Sequence, residues 1–218
     1  MGLQKSSGNG NLTFVNLSGK RGAFEIKGKN DKGETIVKES YDRLEGNVTK
    51  IEIAPSNLPE QENTFELKVR TDDGSGAPVQ FSMTLGTFLS AKMAGLLNAA
   101  DVSKPMTFMV GRVEKGQKLG DTVADKEFPW VAIRQDGEKL SPVYLNGATE
   151  LPAPKEVKLN GKVHKDMSEI DAITAEVLAG VKARVEALHA PSEQDAAGDE
   201  GGIDPAEAAR AAGQRPRG

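Results

Sequence analysis

The chain has 218 residues, of which 37% are hydrophobic and 5% aromatic, with a net charge of −4 and no cysteine. The missing thiols exclude disulfides, thiolate metal sites and cysteine nucleophiles and suit a reducing compartment. The length allows one domain with appendages or two very small ones, and the low apolar content implies that part of the chain packs nothing.

No apolar run approaches a membrane span. The opening MGLQKSSGNG lacks the apolar stretch of a signal peptide, and Met1-Gly2 has no further support as a lipidation signal. The expectation is a cytoplasmic protein with no membrane attachment. Acids gather late: Glu193, Asp195, Asp199, Glu200, Asp204 and Glu207 face only Arg210, Arg215 and Arg217, so residues 191–218 carry −3 and residues 1–164 are close to neutral. A near-neutral body can still bind phosphates where its bases share a face.

Residues 1–11 are polar and glycine-rich and read as a flexible arm. Two short strands follow, over 12–15 and 21–28, the second alternating Phe24 and Ile26 with Glu25 and Lys27. Asn30-Asp31-Lys32-Gly33 is a turn leading to a strand over 34–38. These form an N-terminal β-hairpin extension. The organising stretch is 41–54, YDRLEGNVTKIEIA. Leu44, Gly46 and Val48 share one parity and Ile51 and Ile53 the other, so the strand needs an interruption, a bulge or sharp bend near Thr49 and Lys50, eased by Gly46. A bent first strand serving two sheets suits a small closed barrel.

Residues 64–71 place Phe65, Leu67 and Val69 inward, and 79–85 place Val79, Phe81, Met83 and Leu85 inward. Over 87–99 the period becomes helical, with Phe88, Leu89, Met93, Leu96 and Leu97 on one stripe and Thr87 as N-cap. Strands return at 106–113 and 128–135, around a polar loop at 114–128, and 138–144 continues after an Asp136-Gly137 turn. From residue 41 the order is three strands, a helix and two strands, that of the five-stranded OB barrel with a helix plugging one end. The expected fold is therefore mainly β, an OB-fold-like domain over 12–165 whose last part, 146–165, is a surface strap. A C-terminal amphipathic helix over 166–189 has Ile170, Ile173, Val177, Val181, Val185 and Leu188 as its stripe and a capping-box-like start at Asp166 and Glu169. From 190 to 218 the composition is that of a disordered acidic tail, in which 203–210 has the caps of a helix that forms on a partner.

No catalytic residue, metal site or cofactor is expected. His164 and His189 flank the terminal helix, far apart in sequence, and no nucleophile elbow or phosphate-binding glycine loop is present. Glu66 and Lys68 with Asp42 or Glu52 resemble a magnesium nuclease pattern, but Glu25-Ile26-Lys27 repeats it, as any half-exposed strand does. Single-strand binding needs rings that stack on bases and cations that track phosphates. Lys20, Arg21, Phe24, Lys27 and Lys29 of the hairpin, Tyr41, Arg43 and Lys50 of the organising strand, Lys68 and Arg70 of the next, and Trp130 and Arg134 of the last supply them.

Several runs carry a resemblance: Tyr41-Asp42-Arg43-Leu44-Glu45-Gly46, the 85–97 segment, Lys104-Pro105, and Gln135-Asp136-Gly137-Glu138-Lys139. Leu3-Gln4-Lys5 and Gly8-Asn9-Gly10-Asn11-Leu12 add to it. Over residues 1–188 the chain resembles phage-encoded single-stranded DNA-binding proteins. The resemblance implies an OB fold, single-stranded DNA as ligand, a role in replication or recombination in the host cytoplasm, and a tail that recruits other replication or recombination proteins. Many such tails end in an aromatic residue; this one ends Arg215-Pro216-Arg217-Gly218, which puts autoinhibition by the terminus in doubt. The alternative expectation is a protein-interaction module that binds a host or phage protein through the terminal helix and tail.

Overall fold

A computed structural model describes residues 12–56, 64–74, 78–159 and 162–190; the expected arm and acidic tail lie outside these. Three strands open the chain: β1 (Thr13–Ser18), β2 (Ala23–Lys29) and β3 (Thr35–Tyr41). The long β4 (Arg43–Pro55) precedes β5 (Phe65–Asp72), β6 (Val79–Thr84) and helix α1 (Phe88–Ala99). Next come β7 (Met106–Val113), the short β8 (Lys118–Leu119) and β9 (Thr122–Val123), β10 (Phe128–Gln135) and β11 (Glu138–Lys139). A hairpin of β12 (Lys155–Leu159) and β13 (Lys162–Asp166) leads into α2 (Ser168–Leu188). Nine strands make one sheet in the order β11-β10-β7-β4-β5-β6-β1-β2-β3.

The bend in β4 falls where parity demands it. Register against β5 shifts between Val48 and Lys50, leaving Thr49 bulged, so Leu44, Val48 and Ile51 all turn into the core. Residues 43–46 pair with β7 and residues 47–55 with β5, so one strand serves both halves of the sheet. Gly46 has φ +153°, and a Cβ there would lie 2.9 Å from the Asp72 backbone, so only glycine fits.

No closed five-stranded barrel is found among the described residues. The pairing of β6 with β10 that would close it is absent, because β1 takes the edge of β6 in parallel register and β11 lies on β10. The sheet nonetheless curls enough to enclose one core. Phe24 of β2, Phe81 of β6 and Phe108 of β7 stack edge to face at centroid separations of 5.4 and 5.1 Å. Helix α1 covers the core with Met93, Leu96 and Leu97, and its N-terminus is a capping box in which Thr87 and Ser90 bond each other's backbone N–H.

The stripe of α2 is turned inward. Ile170, Val177, Leu178, Val181 and Val185 are buried against α1 and β4. Arg184 of α2 donates to the Asn98 carbonyl at 3.2 Å, satisfying an open acceptor at the end of α1. At the start of α2 the Asp166 carboxylate accepts the Ser168 N–H at 2.9 Å, while Glu169 pairs with Lys155 rather than completing a capping box. Three further expectations shift. The strap is in part the β12–β13 hairpin. The strand over 138–144 shrinks to β11, since Tyr144 is buried on α1 instead. Phe65, Phe88 and Leu188, expected inward, are about half exposed because each sits at an element end beyond the enclosed core. No described helix is long and apolar enough to cross a membrane.

Candidate nucleic-acid interface

Strand register sorts the expected residues into rows on the solvent side of the sheet. Lys50 pairs with Arg70, Arg70 with Gln80, and Gln80 with Phe14 of β1. Their neighbours Ile51, Val69, Phe81 and Val15 are all buried, so the four side chains of the row leave the opposite face. Arg70 donates to Gln80 at 3.4 Å, and Phe14 is 63% exposed. The adjacent row runs Glu52, Lys68, Ser82, Asn16. Lys50 pairs with Glu52 at 3.0 Å, and that contact holds the Glu52 carboxyl below its ordinary range. On the other arm of the sheet Arg43 is in register with Met109 and Arg134 with Thr107. Trp130 lies across Gly111, where an added Cβ would meet the indole at 2.3 Å.

The β1–β2 turn presents Lys20 and Arg21 beside a depression of about 670 Å³ that Ser18, Glu25, Lys27 and the β3 residues Thr35, Ile36 and Val37 complete. This turn is held, not loose. Gly22, at φ +65°, would place a Cβ 2.4 Å from the Gly111 backbone, and Arg112 donates to the Lys20 carbonyl. Arg112 also pairs with Glu127. Glu25 is only 2% exposed and is paired with Arg21 at 3.4 Å, so Arg21 supplies the charge that makes its burial tolerable. Lys27 and Lys29 are exposed on β2.

Two expected rings are placed otherwise. Phe24 is fully buried in the stack with Phe81, because its parity matches Leu17 across β1; it cannot meet a base. Tyr41 is in register with Phe24 and packs partly on the core, its hydroxyl donating to Glu39. Burial, reinforced by Glu39, pushes its phenol up to about 12. Phe14 is the ring that sequence reasoning missed. In Phe14-Val15 two large apolar residues are adjacent, and a strand with one buried face must expose one of them.

Among the described residues no group of three or more His, Asp or Glu is placed to hold a metal ion. Glu66 of the weighed nuclease pattern accepts a hydrogen bond from Ser56 at 3.2 Å, and Asp42 pairs with Arg43. His164 and His189 are both exposed. No protein-family model, curated protein or solved structure matches this chain.

Proposed function

We propose that the protein is a non-catalytic, sequence-tolerant single-stranded DNA-binding protein of a phage replication or recombination system, built on an OB plan. The observation that carries this reading is the row of Lys50, Arg70, Gln80 and Phe14, an exposed ring in register with two cations on the solvent side of a curled sheet. Such a row offers a stacking surface and phosphate partners without reading base edges. The neighbour order β6-β5-β4-β7-β10, with α1 between β6 and β7, is that of an OB barrel opened between its third and fifth strands. Trp130, Arg43, Arg134 and Lys68 extend the same surface, with Lys20, Arg21, Lys27 and Lys29 at the hairpin. The acidic tail is the segment proposed to recruit replication or recombination proteins. Against an interaction module working through the terminal helix stands the inward-turned stripe of α2.

The test is fluorescence anisotropy of labelled oligo-dT with full-length protein at two salt concentrations. Phe14→Ala should weaken binding about fivefold or more, since stacking contributes roughly 1–3 kcal/mol per base. Arg70→Ala should lower the salt slope by about 0.7, one phosphate contact on a single strand. Undetectable binding at low salt, or equal binding to duplex, would refute the reading.

A further inference from the structure

We infer that the β12–β13 hairpin is a second contact for the same strand, an arm that grips phosphates without stacking on bases; this rests on the single-strand reading above. The hairpin forms a two-stranded sheet of its own, five residues in each strand. At ~3.4 Å per residue it reaches about 17 Å. Among the described residues its strands pair only with each other, and every side chain described in it is exposed. A lone two-stranded hairpin is marginal in water and gains order from what it touches.

Its charge is graded along its length. At the base Lys155 lies opposite Asp166 and Glu156 opposite Lys165, and Lys155 also reaches Glu169 at 3.0 Å. Beyond these compensated pairs come Val157 opposite His164, Lys158 opposite Val163, and then Lys162, with no acid between residues 157 and 164. No ion pair among the described residues engages Lys158 or Lys162. The outer half is thus a free cationic surface on an otherwise near-neutral body. The arm has no Phe, Tyr or Trp, and its one imidazole, His164, is in register with Val157, so its complement is a repeating anion read mainly for charge, the phosphodiester backbone.

The experiment compares full-length wild type, the Lys158→Ala/Lys162→Ala double variant and Phe14→Ala on labelled oligo-dT of about 6 and about 30 nucleotides, one within and one beyond the ~4–16 nucleotides that one such domain covers. Both lysines are exposed, so the double variant should keep the wild-type far-UV spectrum and melting temperature. Binding of the short oligonucleotide should be unchanged in it. On the long one the salt slope should fall by about 1.4, two phosphate contacts at ~0.7 each. A wild-type slope in the double variant overturns the arm and leaves the sheet reading standing. Full binding by Phe14→Ala with the slope lost in the double variant overturns the sheet reading and keeps the arm. No binding by wild type overturns both. Capture of the protein by anionic vesicles that the double variant loses, with the DNA slope unchanged, overturns the arm in favour of a lipid surface for its exposed valines.

Discussion

Gly95→Ala should destabilise the protein although it places a better helix former inside α1. Intrinsic propensity favours alanine by about 1 kcal/mol in a helix interior. Here the added Cβ would lie 2.5 Å from Cε1 and 2.8 Å from Cζ of Tyr144 and 3.0 Å from Pro142. The ring has no easy retreat. Tyr144 is 6% exposed, and the segment that carries it is pinned to α1, the Val143 N–H donating to the Gly95 carbonyl at 2.9 Å and Asn98 donating to the Val143 carbonyl at 3.0 Å. Overpacking of this kind costs about 1–3 kcal/mol, and a contact this short belongs at the upper end. The net expectation is a loss of about 1–2 kcal/mol, or a melting temperature lower by roughly 2–8 °C at this chain length. Gly180 is the control, an exposed position of α2 with nothing within 4 Å of an added Cβ. Gly180→Ala should raise stability by up to about 1 kcal/mol. Thermal melts by circular dichroism and urea midpoints for both variants decide it. If Gly95→Ala stabilised as much as Gly180→Ala, the seating of residues 142–148 on α1 would be wrong.

Arg21→Ala should cost about 1–2 kcal/mol in urea unfolding, because it leaves the Glu25 carboxylate, 2% exposed, without its partner. Adding Glu25→Gln should recover much of that, and a harmless single variant would mean that the pair does not hold Glu25. The Tyr41 phenol, held up to about 12 by burial and then by Glu39, contributes stability that is complete below the ordinary tyrosine range near 10 and is lost as pH rises toward 12. Tyr41→Phe should flatten that alkaline loss in a stability-against-pH series, and an unchanged curve would count against both the burial of the phenol and its Glu39 contact. Glu52→Gln removes an anion beside the cationic row and releases Lys50. With unit charges ~7 Å apart in water worth about 0.6 kcal/mol, oligo-dT should bind roughly threefold more tightly at low salt, a gain that salt should erase.

Parity made the strands legible. The change of parity between Val48 and Ile51 placed an interruption near Thr49 and Lys50, and the register shift leaves Thr49 as the bulged residue, because one face can bury both sets only if a residue is skipped. Thr87 marked the start of α1 for an equally local reason, a side chain that accepts the Ser90 N–H. The closure of the sheet was not legible. Whether β6 pairs with β10 or with β1 depends on which edge is filled in space, and nothing in the short run Thr13-Phe14-Val15-Asn16-Leu17 says which edge it takes. Nor does periodicity say where enclosure ends, so Phe65, in step with Leu67 and Val69, is half exposed at its strand end.

For the site, parity shows which side chains leave the core but only register shows which of them meet. Lys50, Arg70 and Phe14 are separated by 20 and 56 positions in the chain, and two antiparallel ladders and one parallel ladder bring them into one row. The same step that fails to close the barrel creates this row, because β1 can extend Gln80 with Phe14 only by occupying the edge that β10 would otherwise take. A closed OB barrel would end the surface at β6. Here β1, β2 and β3 continue the sheet past β6 and bring an exposed ring, Phe14, beside Gln80. The interleaved acids Glu52 and Glu66 keep the net charge there low. On the proposed single-strand reading, affinity on such a surface would depend on stacking at Phe14 as much as on counterion release, and removing that ring should cost more than removing any one lysine.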